Sequence, residues 1–217
     1  MIDFRNCDCM ELMAGYEDNY FDLAIVDPPY GIGAHKTIGF ADKKTKGFTF
    51  DKKEYKNKGW DNNIPTVEYF SELKRISNNQ IIWGANYFSK NLGEIKNFIY
   101  WHKKGQSEDS KFNEGELAYT SIGRSRMVDI WWNGFGVINS KEHRFHPTQK
   151  PVKLYTWLLS NYAKQGDKIL DTHVGSASSL IACHQLGFDV VGCELDKEYY
   201  ELAQKRIKEE TSQLSLF

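Results

Sequence analysis

Apolar positions along the chain fall into short continuous runs set off by polar or small-residue turns, with helical spacing between several of them. Asp22-Leu23-Ala24-Ile25-Val26 predicts a buried strand that runs straight into Asp27. Gln80-Ile81-Ile82-Trp83 and Asn97-Phe98-Ile99-Tyr100-Trp101 predict two more strands, with a helix over Tyr69 to Ile76 before the first. Pro151 opens a helix with Tyr155, Leu158, Leu159 and Tyr162 on one face, ending before Gly166. Lys168-Ile169-Leu170-Asp171 then reads as a strand, followed by a small-residue turn over Thr172 to Ser179. The next helix carries Ala177, Leu180, Ile181 and His184 on one face and stops at Gly187. Phe188 to Cys193 is a second strand ending at Glu194. A last helix starts near Asp196, with Glu198 in its first turn and Lys205, Arg206 and Lys208 towards its end, a charge order that suits the helix dipole. Strand, glycine-containing turn, helix, strand and acid make one βαβ unit, which predicts a parallel α/β sheet. Gly31 to Pro65 and Ser121 to Phe145 show no regular period and read as long loops.

The 217 residues suit one domain over 1–217, and 41% apolar with 26% charged residues is ordinary for a globular chain. No run approaches the roughly 20 apolar residues of a membrane span, and Met1-Ile2-Asp3-Phe4-Arg5 lacks a signal-peptide layout, so a cytosolic protein is expected. Cys7, Cys9, Cys183 and Cys193 do not have zinc-site grouping; they read as small hydrophobes, and no metal site is expected. The net charge of −1 carries no global nucleic-acid signature. Within Gly31 to Trp60, however, eight lysines face three acids. This basic loop, taken as 31–65, reads equally as a solvated loop or as a phosphate contact.

Two features carry candidate chemistry. In a βαβ unit the turn and helix start cradle a nucleotide-like ligand, and an acid ending the second strand holds ribose hydroxyls; Glu194 lies 19 residues after Gly175, close to that spacing. NAD and S-adenosylmethionine fit this unit equally, although a strict G-x-G-x-x-G is missing, so no pyrophosphate is indicated. The second and more specific feature is Asp27-Pro28-Pro29-Tyr30 at the end of a hydrophobic strand. An exocyclic base amine is a poor nucleophile because its lone pair is delocalised into the ring. Two acceptors on its two N–H bonds, the Asp27 carboxylate and the Pro28 carbonyl, would localise that pair. The prolines stiffen the loop and remove donors, and Tyr30 offers a ring for an extruded base. The plain alternative, a rigid turn with a surface tyrosine, leaves the placement directly after a buried strand unused.

On these motifs the chain resembles the N6-adenine/N4-cytosine DNA methyltransferase family, in the permuted subgroup whose catalytic motif precedes its cofactor motif. The resemblance extends over most of the chain. It implies a Rossmann-like methyltransferase fold with a mostly parallel seven-stranded sheet and helices on both faces, S-adenosylmethionine as cofactor, and double-stranded DNA with a flipped target base as substrate. Asn6-Cys7-Asp8-Cys9 resembles the short acidic motif, which implies that Asp8 contacts the cofactor's adenine. Asp27 to Tyr30 is the catalytic motif in the form associated more with adenine than with cytosine. Trp83 to Tyr87 and Glu116 to Ser121 are similar to segments of small phage and bacterial members. His146-Pro147-Thr148-Gln149-Lys150-Pro151 matches the motif before the helix that flanks the cofactor. Asp171 to Ser179 matches the cofactor loop, usually D-P-F-x-G-S-G-T-T. The implied cofactor set is therefore Asp8, Asp27, Thr148, Gln149, Lys150, Asp171, His173, Val174, Gly175, Ser176, Ser178 and Glu194. Thr172, His173 and Ala177 depart from the pattern, and a methyl group at 177 is expected to weaken cofactor binding if glycine is required there.

Target recognition is expected within 102–145, where Arg124, Arg126, Lys141 and Arg144 interleave with Trp131, Trp132 and Phe135. An extra core layer with solvated arginines explains the same residues. The small region predicts a short or relaxed target sequence. Gln213-Leu214-Ser215-Leu216-Phe217 is similar to peptides that dock bacterial replication proteins into the sliding clamp, which implies such a partner in a bacterial or phage-infected cell. The leading reading is adenine-N6 methylation of DNA. N4-cytosine methylation, an RNA substrate, a nucleotide-dependent oxidoreductase and a non-catalytic DNA-binding module stand as alternatives.

Overall fold

The computed structural model describes residues 1–33, 59, 61–104, 113–132 and 145–212. In chain order its elements are β1 (Ile2–Arg5), α1 (Cys9–Ala14), β2 (Phe21–Val26), α2 (Val67–Ile76), β3 (Ser77–Trp83), α3 (Ser89–Leu92), β4 (Phe98–His102), β5 (Gly115–Thr120), β6 (Arg126–Asp129), α4 (Val152–Tyr162), β7 (Lys168–Asp171), α5 (Ser178–Leu186), β8 (Asp189–Cys193) and α6 (Lys197–Ser212). The strands form one sheet in the order β1-β8-β7-β2-β3-β5-β4-β6. β5 alone runs antiparallel to its neighbours; every other pairing in the sheet is parallel.

The continuous apolar run of β2 follows from its position. It pairs with β7 through Leu23↔Ile169 and with β3 through Ala24↔Gln80, so it is flanked by strands on both edges. Its side chains alternate between two cores. Leu23 and Ile25 join one with Leu158 of α4, Leu180 of α5 and Ala203 of α6. Ala24 and Val26 join the other with Leu12 of α1 and Phe70 and Leu73 of α2. A strand covered by helices on both faces must be apolar at every position, which is why its signal is legible.

The sheet has eight strands among the described residues, one more than expected. Two short edge strands explain this. β1 and β6 are four residues each and pair on one side only, and β6 buries just Val128. Their order comes from the ladder, not from a period of their own. β6 also falls inside a stretch expected to be loop. Two helix faces differ as well. α5 buries Cys183 and Ala182 while His184 is exposed. α6 continues past the basic residues through Glu209 and Glu210, so no base lies in its last turn, and Arg206 is buried against the fold instead of facing solvent. Of the basic loop expected over 31–65, residues 34–58 and 60 lie outside the described residues, as does the tail at 213–217.

The parallel directions bring the carboxyl ends of β1, β8, β7 and β2 to one edge of the sheet. Residues 6–8, 194–195, 172–178 and 27–30 therefore converge there, which is where open α/β sheets bind ligands.

Candidate active site

A cavity of about 210 Å³ opens at this edge, bounded by the four strand ends and the 145–151 segment. Asp8, Asp27, Thr148, Gln149, Lys150, His173, Val174, Gly175, Ser176, Ser178 and Glu194 all line it. Asp171 does not. Its side chain is buried behind the loop, accepting from the His173 N–H at 3.0 Å and the Ser179 hydroxyl at 2.5 Å. Burial pushes the Asp171 carboxyl up to about 7 against the pull of those two bonds.

Local structure fixes each lining group. Asp8 is the N-cap of α1 and accepts from the Met10 N–H at 2.7 Å. The Asn6 amide ties this junction to the next strand end, donating to the carbonyls of Glu194 at 2.8 Å and Leu195 at 3.1 Å. Glu194 accepts from the Gly175 N–H on one oxygen and the Asp196 N–H on the other, both at 2.9 Å. Burial raises its pKa, opposed by those backbone bonds. Gly175 has φ +52, and a Cβ there would lie 3.5 Å from the His146 ring, so backbone conformation, not space, calls for glycine. From behind, Arg206 donates to the Ser176 carbonyl at 2.8 Å and the Ser178 hydroxyl at 2.9 Å. Tyr69, Thr172 and His173 form a further unit: the Thr172 hydroxyl lies 2.7 Å from the Tyr69 hydroxyl and 2.9 Å from His173 Nδ1. Burial holds the His173 imidazole down at about 4, so it is neutral at pH 7.

At the end of β2 the Tyr30 hydroxyl donates to Asp27 Oδ1 at 2.6 Å. Asp27 Oδ2 accepts from Lys150 Nζ at 2.5 Å. Lys150 also reaches Glu116 Oε2 at 3.0 Å and the Tyr30 hydroxyl at 3.1 Å, while Lys103 holds Glu116 Oε1 at 2.6 Å. Two ammonium groups thus face two carboxylates. Burial would raise Glu116, but Lys150 and Lys103 outweigh it and hold the carboxyl down at about 2. Asp27 shares Lys150 with Glu116, so its burial wins and its pKa lies above the ordinary value. The Tyr30 ring stacks on Tyr87 at 5.0 Å and 16°. It also presses on Gly84, whose φ is +76 and where a Cβ would sit 2.3 Å from Tyr30 Cε1. One face of the ring expected to stack a base is therefore already occupied.

The cavity suits a cationic, ribose-bearing ligand better than a pyrophosphate. Three carboxylates, Asp8, Asp27 and Glu194, line it, and Lys150 is the only lysine or arginine among the lining residues. Its three N–H groups are all taken by Asp27, Glu116 and Tyr30. The model of a family described as DNA methylase, N6_N4_Mtase, matches residues 61–205, about two thirds of the chain. The chain belongs to the N6/N4 DNA methylase family. It is 25% identical to Type II methyltransferase M.HpaI from Haemophilus parainfluenzae, over 94% of this chain and 73% of that protein. It is equally 25% identical to Type II methyltransferase M2.DpnII from Streptococcus pneumoniae, over 94% of this chain and 88% of that one. Its fold matches the crystal structure of an M1.HpyAVI–SAM complex with a TM-score of 0.59 at 20% identity, covering 95% of this chain and all of that one. It matches the cytosine-N4-specific PvuII DNA methyltransferase with the same TM-score at 11% identity, covering 98% and 92%. The oxidoreductase alternative falls with this assignment: an S-adenosylmethionine-dependent DNA methyltransferase is the enzyme class of the chain.

In this DNA methylase, Ala177 and the arginines of the 121–132 stretch lie away from the cavity. Ala177 does occupy a left-handed conformation, φ +64, but it is fully buried in the core with Leu180 and Ile181 and does not line the cavity. Its methyl group is a matter of backbone strain and not of cofactor contact. Arg124 and Arg126 lie far from the site. β6 is parallel to β4 and so to β2, which puts Arg126 at the opposite edge of the sheet, donating to Asn161 at 2.7 Å near the end of α4. The eleven residues of α4 span about 16 Å, and that length separates these arginines from the Lys150 end. Trp132 is buried in the core, Trp131 is half-buried, and Lys141, Arg144 and Phe135 lie outside the described residues. The structure also brings in groups that had no assigned role. Glu116 and Lys103 reach the catalytic loop from β5 and the end of β4, and Tyr155 and Tyr199 line the cavity, with His146 packed edge-on against Tyr199 at 4.4 Å. Glu116 sits in a segment noted only as family-like, and its signal, an acid opening an otherwise apolar strand, carried no chemistry by itself. Cys7 and Cys9 also line the cavity, and burial pushes the Cys9 thiol up to about 12, which fits the reading of small hydrophobes.

Proposed function

We propose that the protein methylates N6 of a flipped-out adenine within a short DNA site. The observation that carries this is the rigid Asp27-Pro28-Pro29-Tyr30 loop held at the end of β2, beside the carboxylate-lined cavity. In this reading Asp27 and the Pro28 carbonyl each accept one amine N–H and so localise the nitrogen lone pair. Pro29 keeps the loop stiff. Tyr30, packed on Tyr87 and Gly84, fixes Asp27 through its hydroxyl and borders the base site. S-adenosylmethionine supplies an electrophilic methyl group. Glu194 receives ribose hydroxyls, Asp8 the adenine amine, and Thr148, Gln149, His173, Val174, Gly175, Ser176 and Ser178 complete the walls. Asp171 supports the loop from behind. The surplus amine proton passes to Asp27 and on to solvent.

Incubation with labelled S-adenosylmethionine and DNA, then nucleoside mass spectrometry, tests this. N6-methyladenine is expected from the wild type and none from Asp27→Ala; N4-methylcytosine would reassign the base, and label in neither would leave a DNA-binding module. The 213–217 tail is further proposed to dock into the sliding clamp of a bacterial or phage-infected cell, with the enzyme working in the cytoplasm. Its apolar Leu214, Leu216 and Phe217 and its glutamine-led pattern support this. Deleting 213–217 should abolish clamp pull-down and leave methylation of naked DNA unchanged; undiminished pull-down would reject it.

A further inference from the structure

We infer that Lys150 is the positioning residue of the catalytic carboxylate, held in place by Glu116, and takes no part in binding the cofactor. The inference rests on the methyltransferase reading above. It begins from a count of donors. An ammonium group has three N–H bonds. Those of Lys150 are met by Asp27 Oδ2 at 2.5 Å, Glu116 Oε2 at 3.0 Å and the Tyr30 hydroxyl at 3.1 Å. The side chain is 3% exposed. It borders the cofactor cavity, but its donors are spent on protein partners.

The consequence for Asp27 is electrostatic and geometric. A buried carboxyl tends to take up a proton, and a protonated Asp27 has a donor where the reaction needs an acceptor. The other titratable groups facing it are acidic: Glu116 from β5, Tyr155 from α4, Asp171 from β7 and Tyr30 from its own loop. Lys150 is the cation in contact with it, and thus the group that keeps it ionised. Lys150 also holds one carboxylate oxygen while Tyr30 holds the other. A carboxylate offers about four lone-pair sites, so two remain for an incoming amine, in an orientation already fixed. Glu116 completes the device: braced by Lys103 on its other oxygen, it holds Lys150 in place. The same anion competes with Asp27 for Lys150, so Lys150 and Glu116 act on the catalytic carboxylate in opposite senses.

The test compares the full-length wild type with Lys150→Met, Lys150→Arg and Glu116→Gln. Single-turnover methylation is followed from acidic to alkaline pH, and S-adenosylmethionine affinity is measured by calorimetry. Lys150→Met should lower the rate at pH 7 by about a hundredfold and move the acidic limb of the pH profile upward by about one unit or more. Its cofactor dissociation constant should stay within about threefold of wild type, since the lost contacts are to Asp27, Glu116 and Tyr30. Lys150→Arg should keep the limb where it is, because the charge is retained. Glu116→Gln should move the limb downward, since Asp27 then has Lys150 to itself. A Lys150→Met protein with cofactor affinity weakened about tenfold and an unmoved limb would overturn the inference in favour of a cofactor ligand. Should circular dichroism show Lys150→Met unfolded, a limb left in place by Glu116→Gln overturns it instead. Failure of the methyltransferase reading itself is separate, because it would appear as an inactive wild type.

Discussion

Asp171 lies under the cofactor loop at 2% exposure, and the fold raises its carboxyl from an ordinary 3.8 to about 7. Two bonds, from Ser179 and from the His173 N–H, hold it, yet burial outweighs both. A carboxyl raised this far binds its proton more tightly in the folded than in the unfolded chain. Between about pH 4 and pH 7 the unfolded state therefore carries fewer protons, and the native state loses stability as pH rises. Integrated over that window at about 1.4 kcal/mol per pH unit, the loss reaches about 4 kcal/mol and persists above pH 7. Asp171→Asn removes the titration while keeping the geometry: the amide oxygen still accepts from His173, and the amide NH2 donates to Ser179 Oγ. Urea unfolding of both proteins at a series of pH values from 4 to 8 gives the comparison. Near pH 4 the two should be similar in stability, and near pH 8 the variant should lead by about 2–4 kcal/mol. Parallel profiles, or a wild type that gains on the variant as pH rises, would refute the reasoning. Either result would mean that Asp171 is ionised and that its two hydrogen bonds, not its burial, decide its charge.

Gly84→Ala would put a Cβ 2.3 Å from Tyr30 Cε1 at a φ of +76, so the tyrosine must move; methylation should fall by about a hundredfold with cofactor affinity nearly unchanged, read by rate and calorimetry together. Ala177→Gly relieves a left-handed alanine, worth about 1–2 kcal/mol, but removes a buried methyl group worth about 0.8 kcal/mol, so thermal stability should change little. Because Ala177 does not line the cavity, its substitution should leave cofactor affinity as it is, and a tenfold gain, about 1.4 kcal/mol, would contradict this. Burial holds the Asp171 carboxyl at about 7, and a cationic cofactor seated before the loop that it supports favours its charged form. Binding should accordingly release protons and tighten as pH rises from 6 to 8, seen as a dependence of the calorimetric heat on buffer ionisation enthalpy; a net proton uptake would contradict it.

The legibility of the chain tracked how much of each signal was local. β2, β7, α5 and β8 were readable because strands buried on both faces are apolar throughout and the intervening turn needs small residues and a positive φ at Gly175. Asp27-Pro28-Pro29-Tyr30 was readable because two successive prolines restrict the backbone whatever surrounds them. β1, β5 and β6 were not, since edge or antiparallel strands of four to six residues take their order from partners distant in sequence: Ile2 pairs with Val190, and Ile99 with both Ala118 and Arg126. Direction along the sheet was equally out of reach. Composition reads Arg126 equally as a nucleic-acid contact or a solvated arginine, and only the parallel pairing of β6 with β4 puts it at the edge away from the cavity.

The sequence by itself determined the class of chemistry, because a carboxylate, two prolines and a tyrosine in a row at a strand end, and an acid 19 residues after Gly175, are properties of residue type and spacing. It also determined that the sheet is mostly parallel. What only the tertiary structure decided is how Asp27 is charged. Lys150 lies 123 residues away in the chain and Glu116 a further 34 back from it, so neither spacing nor period joins them. They meet because β5 and the segment before α4 reach the same sheet edge as β2. Burial there makes an unpaired carboxylate costly enough that a lysine must accompany it.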